Sequence, residues 1–484
     1  MKKIFLLGVF SLLAIGCQQT NQKETRPNII FILADDLGYD DLSFYREKFG
    51  EESEFEPTSQ TPNIDLLAKE GKYFSDFYCG AAVCSPSRAV LLTGRNNARL
   101  GIYNWIPPKV PMHLEESEIT TAEILKEANY NTGHFGKWHL TSNDMPQPEP
   151  LDQGFDYAFW THNNAIPSHK NPVNFIRNRE ELGELKGYSC DLVVDETMNW
   201  LNKHKDDKEP FFANVWFHEA HQVEAAPDSL KQRHQRNKAY YGCIENMDYA
   251  VGRLMKYLKD NKLDENTLIL FSSDNGSEKL GSNIPFRGEK CFQYEGGIRV
   301  PFIAVWPNKI EPNSSSDFTG FFGDVLPSIA QIAQVSKPED RKIDGIDITD
   351  VLLGKKETIE REQPLFFYRY FHDPICMLRE GDMVLLGYQN PPEPRKEDYD
   401  HVEEALFKPQ KGEGKWSAWS FDKSHMDALM LQEPKYFELY NITQDKGQRY
   451  NIDSKHPQQL ERMKETMLKL KDEMVSEGGD WFKE

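Results

Sequence analysis

The sequence predicts an α/β fold: a large domain with a mainly parallel central sheet flanked by helices, followed by a smaller α+β domain with an antiparallel sheet. Two apolar runs without alternation, at 27–38 and 266–276, carry the first part of this prediction. Such runs are typical of strands buried on both faces of a parallel sheet. Helix and strand patterns alternate between the two runs, as βα units require. These patterns lie at 120–129, 131–135, 210–217 and 239–261.

The chain changes character after residue 355, where short β-type runs replace the α/β alternation. We therefore predict a catalytic domain over 27–355 and a C-terminal antiparallel-sheet subdomain over 356–484. The predicted strands of the subdomain are 365–370, 375–379, 383–388 and 436–440, and its predicted helix is 456–477. Between two of these strands lies a polar and aromatic insertion at 389–434, and insertions of that length are usually functional or disordered.

The first residues predict export. Residues 1–17 have a basic start and an apolar run that is too short to span a membrane, which is typical of a signal peptide. Their end, Leu13–Cys17, resembles a bacterial lipobox, in which Cys17 would be lipidated; the alternative is ordinary cleavage near Gly16. Polar residues 18–26 would then form a tether. We expect a lipoprotein in the periplasm or outer membrane of a Gram-negative bacterium, with the lipid anchor as its membrane contact.

Composition limits the partners. The 77 acidic residues outnumber the 57 basic ones and give a net charge of -20, which argues against nucleic acid. A site for an anion must therefore be a local concentration of basic side chains. Seven cysteines are present, and the five besides Cys17 and Cys84 show no paired-ligand spacing, so neither a disulfide scaffold nor a zinc site is indicated. The acidic run at 51–56 is predicted to be a solvated loop.

The stretch from Cys84 to Gly94 predicts a loop that turns into a short helix. Ser85 can cap this helix, Pro86 suits its first turn, and Gly94 suits its C-terminal end. Cys84 then lies at the positive end of the helix dipole, with Arg88 one turn on. Such an electropositive environment suits a nucleophile that handles an anion. The alternative is a buried structural cysteine beside a surface arginine.

Acidic pairs follow both apolar runs. Asp35 and Asp36 end the first, and Asp274 with Asn275 ends the second. Ligands of open α/β sheets bind beyond the carboxyl ends of the strands, where both pairs fall. Three carboxylates and an amide are hard oxygen ligands that suit Ca²⁺ or Mg²⁺. The alternative for each pair alone is ordinary turn chemistry.

The motif Cys-x-Pro-x-Arg followed by Leu-Leu-Thr-Gly-Arg resembles the maturation motif of the formylglycine-dependent sulfatases of the alkaline phosphatase superfamily. Other segments extend the resemblance over 27–453: Gly136–Leu140, Phe217–His221 and Phe286–Pro301. The resemblance implies an alkaline phosphatase-like fold. It also implies that a formylglycine-generating enzyme oxidises Cys84 to formylglycine (3-oxoalanine), whose hydrated aldehyde attacks the sulfur of a sulfate ester.

The same resemblance implies the other site residues. One divalent cation, usually calcium with Mg²⁺ as the alternative, would be held by Asp35, Asp36, matured Cys84, Asp274 and Asn275. The sulfuryl oxygens would be bound by Arg88, Lys137 and Lys290. His139 would assist regeneration of the aldehyde, and Lys137 and His139 would point to the same side of an extended segment.

Further assignments accompany the resemblance. His218 would protonate the leaving alcohol, and His221 would contact substrate, although Ala220 stands where the family often has Pro. Glu295 and Arg299 would form a buried ion pair, and Asp324 would be architectural. Val384 occupies a hairpin position where the family often has Lys.

The predicted function is hydrolysis of sulfate esters on a sulfated polysaccharide or oligosaccharide, such as marine algal ulvan or carrageenan. Trp105, His162 and Arg177 are candidates for lining the sugar subsites. One alternative is a phosphomonoester or phosphodiester hydrolase of the same superfamily, which as a binuclear enzyme would need further His and Asp ligands. The other is a non-catalytic glycan-binding surface protein, which would not need Cys84 or the basic residues.

Overall fold

The computed structural model describes residues 26–49, 59–278, 280–370, 373–392 and 421–483. The predicted signal peptide, Cys17, the tether up to residue 25 and the acidic run at 51–56 lie outside these ranges. Within them, no helix has both the length and the apolar character needed to cross a membrane.

The described residues form sixteen strands and twelve α-helices. The strands are β1 (Asn28–Asp35), β2 (Lys72–Phe74), β3 (Phe77–Tyr78), β4 (Asn131–Lys137), β5 (Tyr157–Thr161), β6 (Ile176–Arg177), β7 (Glu180–Glu181), β8 (Phe211–Ala220), β9 (Thr267–Ser273), β10 (Phe302–Val305), β11 (Ser314–Ser316), β12 (Gly320–Phe321), β13 (Leu365–Tyr368), β14 (Cys376–Glu380), β15 (Met383–Tyr388) and β16 (Tyr436–Asn441). The helices are α1 (Ser43–Phe49), α2 (Pro62–Glu70), α3 (Cys84–Thr93), α4 (Thr121–Glu127), α5 (Ser189–His204), α6 (Asp228–Lys231), α7 (Lys238–Asp260), α8 (Glu295–Ile298), α9 (Val325–Ala333), α10 (Thr349–Leu352), α11 (Lys423–Leu431) and α12 (Pro457–Gly478).

Ten of these strands form the large sheet, in the order β11-β2-β10-β9-β1-β8-β4-β5-β6-β7. The central strands β9, β1, β8, β4 and β5 are all parallel, and β10 joins antiparallel beside β9. The prediction of a mainly parallel sheet is confirmed. Because their directions agree, β1, β4, β8 and β9 all end at the same edge of the sheet.

Helices cover both faces of this sheet, which explains why its strands are apolar without alternation. On β1, Phe31 and Leu33 belong to a hydrophobic cluster that includes α3, α4 and α9. Ile30 and Ile32 point to the other face, into a second cluster that includes α2, α5 and α7. Successive side chains of a strand alternate between faces, so a strand covered on both sides must be apolar throughout.

The C-terminal part contains the antiparallel sheet β13-β14-β15-β16, against which α12 packs. The predicted boundary at 355/356 stays a prediction, because one hydrophobic cluster runs from β1 through this sheet to α12. The insertion at 389–434 is not wholly irregular, since residues Lys423–Leu431 form a helix capped by Asp422. Residues 393–420 of the insertion lie outside the described ranges.

Buried charges join the large domain to the C-terminal sheet. We call this group the inter-sheet cluster; it consists of Asp76, Tyr78, Glu295, Arg299 and Arg379. Arg379 of β14 donates to both Asp76 oxygens, at 2.6 and 2.5 Å. Arg299 Nη1 donates to Glu295 Oε2 at 2.9 Å, so the predicted ion pair is present. Against the effect of burial, Arg299 and Arg379 hold the pKa of Asp76 below its ordinary value.

Candidate active site

Two acidic pairs meet at the carboxyl edge of the sheet. Asp35 is the last residue of β1, and Asp36 follows it with a φ of 58°. Asp274 and Asn275 follow β9, whose Ser273 pairs with Ala34 of β1. Strand order and register therefore bring the two pairs side by side. Ligand atoms of Asp35, Asp36, Asp274 and Cys84 all lie within 4.8 Å of one another.

The amide of Asn275 shows that this cluster fits a metal ion. Its Nδ2 donates to Asp36 Oδ1 at 2.7 Å. Its Oδ1 is buried and has no hydrogen-bond partner among the described residues. A buried oxygen without a partner is costly unless something else satisfies it. Three carboxylates and this free amide oxygen make an oxygen-rich donor set of the kind that hard divalent cations prefer.

The carboxyl groups do not share one electrostatic environment. Burial and the neighbouring charge of Asp35 raise the pKa of Asp274 to about 7. Burial also raises the pKa of Asp36, against the effect of Lys290. For Asp35, the effect of burial is outweighed by Lys137 and other cations, which hold its pKa well below the ordinary value. Crowded carboxylates of this kind favour a bound cation, because a cation relieves their mutual repulsion.

Cys84 is the first residue of α3 and faces the acidic cluster. Its Sγ lies 3.4 Å from Asp35 Oδ1, 3.9 Å from Asp36 Oδ1 and 3.6 Å from Lys137 Nζ. Burial and Asp35 raise the pKa of the thiol well above its ordinary value. The prediction of an electropositive environment was therefore incomplete, because carboxylates as well as cations surround the sulfur.

The helix itself begins differently from the prediction. Val83 is the N-cap residue, and Ser85 is not a cap, because Cys84 already belongs to the helix. The Ser85 hydroxyl instead accepts the N–H of Ile106 at 3.0 Å. Gly94 ends the helix as predicted, with a φ of 70° and its N–H bonded to the carbonyl of Val90.

Three cations approach the cluster, and each meets a different carboxylate. Arg88 donates to Asp274 Oδ2 from Nε at 2.9 Å and from Nη2 at 2.7 Å. Lys137 Nζ lies 2.5 Å from Asp35 Oδ2, and Lys290 Nζ lies 2.5 Å from Asp36 Oδ2. The local positive charge that an anion needs is therefore present at this site, although the chain as a whole is acidic.

The three predicted histidines lie at different distances from the cluster. His139 does not continue an extended segment, because β4 ends at Lys137 and His139 has a φ of 56°. Its Nε2 is 3.3 Å from the carbonyl of Ile106, and burial and Lys137 lower its pKa well below the ordinary value. His218 is fully buried within β8, with Nε2 2.8 Å from Thr161 Oγ1. His221 follows β8 and places Nε2 3.5 Å from Asp36 Oδ2.

Asn164 is a site residue that sequence reasoning missed. Its Oδ1 accepts a hydrogen bond from Lys137 Nζ at 3.0 Å, and its Nδ2 is 3.0 Å from His221 Nδ1. Sequence reasoning named His162 and Arg177 on either side of it, but not Asn164. One polar residue in a loop gives no signal of its own, because the contact depends on how the loop after β5 folds back.

The predicted sugar-subsite residues divide into two groups. The Trp105 ring lies 6.2 Å from the His139 ring, so the structure places it beside the site. His162 Nδ1 lies 3.0 Å from Thr141 Oγ1, and Arg177 pairs with Glu196 of α5 at 2.7 Å. In the described part of the chain, the side chains of His162 and Arg177 form no hydrogen bond to the groups around Cys84, although the His162 carbonyl accepts the N–H of His139 at 2.8 Å.

The fold and site bring together a possible oxygen-rich metal site and three basic side chains that can bind an anion. Comparison with known proteins gives its family. The family model described as Sulfatase matches residues 27–335. The N-acetylgalactosamine-6-sulfatase of Canis lupus familiaris is 32% identical over 393 residues, which cover 75% of this chain and 72% of the relative. Human arylsulfatase A is 30% identical over 492 residues, which cover 91% of this chain and 87% of the relative.

A solved structure shares the fold. Ps i-CgsB in complex with k-i-k-neocarrahexaose superimposes with a TM-score of 0.75 at 25% identity, covering 94% of each chain. The chain belongs to the sulfatase family of the alkaline phosphatase superfamily, and it is a sulfuric ester hydrolase.

Proposed function

We propose that this chain hydrolyses sulfate esters of a sulfated glycan, with a formylglycine made from Cys84 as the nucleophile. One observation carries the proposal: in a chain of the sulfatase family, Cys84 lies within 4.8 Å of three carboxylates and 3.6 Å from Lys137 Nζ, and Lys290 pairs with one of those carboxylates. The formylglycine would supply a hydrated aldehyde, one oxygen of which attacks sulfur while the other later drives out sulfate.

One divalent cation completes the proposed site, with Ca²⁺ as our assignment and Mg²⁺ as the alternative. Asp35, Asp36, Asp274 and Asn275 would hold it, together with the matured Cys84 side chain. The unpartnered Asn275 Oδ1 and the crowded carboxyl groups support this assignment. When bound, the cation would polarise a sulfate oxygen and an oxygen of the nucleophile.

The basic side chains would bind and orient the sulfate group. Arg88, Lys137 and Lys290 approach from three elements, so together they can contact different oxygens of one tetrahedral anion. Arg88 is held rigidly, because it donates to Asp274 and to the carbonyl of Lys137 and lies over the Trp216 ring. Charges fixed in advance stabilise a transition state without a cost of reorganisation.

For protonation of the leaving oxygen, the geometry favours His221 over the sequence-based choice, His218. His221 lies beside Asp36 at the edge of the cluster, and its side chain is 11% exposed, so a leaving alcohol can reach it. His218 is fully buried and bonded to Thr161. A general acid must come within hydrogen-bond reach of the oxygen it protonates, so the more exposed His221 is our assignment and His218 becomes the alternative. His139 remains our assignment for regeneration of the aldehyde.

The substrate class follows from the relatives. Ps i-CgsB was solved with a neocarrahexaose, and the related N-acetylgalactosamine-6-sulfatase is named for a sulfated sugar. We therefore propose a sulfated poly- or oligosaccharide, with Trp105 beside the site as a stacking surface for a sugar ring. Export through the predicted signal peptide, and anchoring through Cys17, belong to the same proposal, because a periplasmic or outer-membrane enzyme meets such glycans directly.

The test is sulfate release from a panel of sulfated glycans. The protein is co-expressed with a formylglycine-generating enzyme, and mass spectrometry measures conversion of Cys84. We expect release that disappears in Cys84→Ala. A panel of phosphate mono- and diesters, assayed in parallel, tests the phosphoesterase alternative. Sulfate release that survives in Cys84→Ala would exclude the formylglycine mechanism, and faster turnover of the phosphate esters would favour the alternative.

A further inference from the structure

A buried carboxyl group outside the acidic site, that of Asp41, holds two of the site's loops together. Asp41 is fully buried in the turn that follows β1. Its Oδ2 accepts the N–H of Gly38 at 3.0 Å and the hydroxyl of Tyr240 at 2.6 Å, and its Oδ1 accepts the N–H of Ser282 at 3.1 Å. Burial raises the pKa of this carboxyl to about 7, and the hydrogen bonds from Tyr240, Gly38 and Ser282 oppose that shift. In its ionised form the carboxyl makes strong, charge-assisted hydrogen bonds to these three donors.

These donors come from three separate parts of the chain. Gly38 belongs to the turn that carries Asp35 and Asp36. Ser282 belongs to the loop that leads from Asn275 to Lys290, and Tyr240 belongs to α7. The Ser282 carbonyl also accepts the N–H of Asp40 at 3.0 Å, so the two loops are bonded in both directions.

Two glycines allow the loops to approach this closely. A Cβ atom at Gly38 would lie 2.2 Å from the carbonyl oxygen of Ser282. A Cβ atom at Gly281 would lie 2.2 Å from the Tyr240 hydroxyl and 2.4 Å from Asp41 Oδ2. All three distances are far below van der Waals contact, so any side chain at Gly38 or Gly281 would force the loops apart.

The loop transmits this restraint to Lys290. The Asn283 side chain accepts the N–H of Ser277 at 2.9 Å and donates to its carbonyl at 3.2 Å. That same carbonyl accepts the N–H of Lys290 at 3.0 Å. Lys290 Nζ then reaches Asp36 Oδ2 at 2.5 Å. The loop is thus attached to the Asp35–Asp36 turn at two places, through Asp41 near its middle and through Lys290 at its end.

We propose that Asp41 is a positioning residue, which fixes the loop of Lys290 against the Asp35–Asp36 turn and so sets where the Lys290 ammonium group meets the substrate sulfate. This inference rests on the proposed function, in which Lys290 binds sulfate. A displacement of about 1 Å at a binding group can reduce activity by about a hundredfold, so a restraint of this kind has a measurable effect.

Asp248 provides a matched control. It lies on α7, as Tyr240 does, and its buried carboxyl accepts the main-chain N–H of Asn63 at 3.0 Å and of Ile64 at 2.8 Å. It therefore has the same chemistry as Asp41, a buried carboxyl that accepts main-chain N–H groups. Its partners lie in the first turn of α2, whose main-chain N–H groups the Asp248 carboxyl caps, and they do not belong to the loops of the site.

The experiment measures binding of inorganic sulfate, the product anion, to the calcium-loaded full chain by isothermal titration calorimetry. We expect Asp41→Asn to raise the Kd for sulfate at least about tenfold. Tyr240→Phe, which removes one donor and keeps the ring, should raise it less, and Asp248→Asn should leave it unchanged. Circular dichroism checks that each variant is folded, and Tyr240→Phe carries the test if Asp41→Asn does not fold.

A double-mutant cycle with Lys290→Ala separates positioning from a general structural effect. If Asp41 acts through Lys290, Asp41→Asn should change the Kd for sulfate little once Lys290 is Ala. Equal losses in both backgrounds, or wild-type affinity in Asp41→Asn, would overturn the inference and leave the proposed function intact. Wild-type affinity in Lys290→Ala itself would overturn the inference and the assignment of Lys290 as a sulfate ligand, while sulfate release and the Cys84→Ala variant test the proposed function separately.

Discussion

The acidic site consists of Asp35, Asp36, Asp274 and Asn275 with the basic side chains around Cys84. It and the inter-sheet cluster contain the same types of residue, but the two groups serve different purposes. Both are buried and both combine carboxylates with basic side chains. In the inter-sheet cluster, acids and bases alternate, so that Asp76 lies between Arg299 and Arg379 and Glu295 pairs with Arg299. In the acidic site, three carboxylates converge on one another and the cations stand around them.

The pKa directions express this difference. The pKa of Asp76 is held below its ordinary value against burial, whereas that of Asp274 is raised to about 7 by burial and by Asp35. The site also contains a buried amide oxygen, Asn275 Oδ1, with no partner in the described chain. Alternating, fully paired charges therefore indicate a structural contact, and crowded like charges with an unsatisfied oxygen indicate a place for a ligand.

The largest expected effect is on activity in the acidic site. Asp274→Asn should reduce sulfate-ester hydrolysis at least about 10³-fold, because the cation it helps to hold contributes several kcal/mol to the transition state. The free energy of unfolding of the metal-free protein should fall by less than in the inter-sheet cluster, because relief of the crowding of Asp35 and Asp274 offsets the loss of the buried Arg88–Asp274 ion pair. Denaturant titration and steady-state kinetics measure the two quantities. A loss of stability as large as that expected for the inter-sheet cluster would contradict the comparison.

The inter-sheet cluster should respond in the opposite way. Asp76→Asn should lower the free energy of unfolding by about 3–5 kcal/mol, because it leaves Arg299 and Arg379 buried without their shared partner. The folded fraction should keep the wild-type activity per molecule within about a factor of two, since none of these residues touches the groups around Cys84. A large loss of activity at full folding would show that this cluster also shapes the site.

The same contrast explains what the sequence could predict. That Asp35, Asp36, Asp274 and Asn275 lie at one edge was predicted from the strand pattern, because parallel strands place their carboxyl ends together. Turn chemistry stayed open for each pair alone, and the assignment to one metal site came through the family resemblance. The pair Glu295–Arg299 was predicted through the family resemblance. The contact between Asp76 and Arg379 was not, since these residues are 303 positions apart and meet only when the C-terminal sheet packs on the large domain.

Other predictions that the sequence could not make reliably depend on single turns of the backbone. Ser85 was predicted to cap α3, but the helix starts one residue earlier and the hydroxyl bonds to Ile106 instead. His218 was preferred over His221 as the general acid on sequence grounds, but the end of β8 at Ala220 sets which of the two side chains is enclosed and which reaches the edge. Lys290 was identified only by resemblance, because its place depends on a loop.

Removal of the metal should separate the two clusters by stability. Chelation should abolish activity and lower the melting temperature, and Ca²⁺ should restore both. At a Ca²⁺ concentration a hundred times its Kd, binding stabilises the native state by about 2.7 kcal/mol. Asp274→Asn should lose most of this increment, and Asp76→Asn should keep it in full, as differential scanning calorimetry with and without Ca²⁺ would show. An equal increment in both variants would place the ion elsewhere.

The smallest expected effect concerns buried carboxyl groups away from the acidic site. It is the change with pH in what these groups contribute to the free energy of unfolding. Burial raises the pKa of Asp248 to about 6. The folded state then holds this proton more tightly than the unfolded state, so stability falls as pH rises from about 4 to 6, by up to about 1.4 kcal/mol per pH unit. Asp248→Asn should flatten that part of the profile in metal-free protein.

Asp76 has the opposite sign. Because its folded-state pKa is lowered, the stability it contributes is present above its unfolded pKa and is lost as pH falls through the folded value. The stability difference between wild type and Asp76→Asn should therefore be constant above about pH 5 and shrink below about pH 4. Denaturant titrations from pH 3.5 to 8 distinguish the two carboxyls, and a difference that grew toward low pH would show that Asp76 is not held ionised by its arginines.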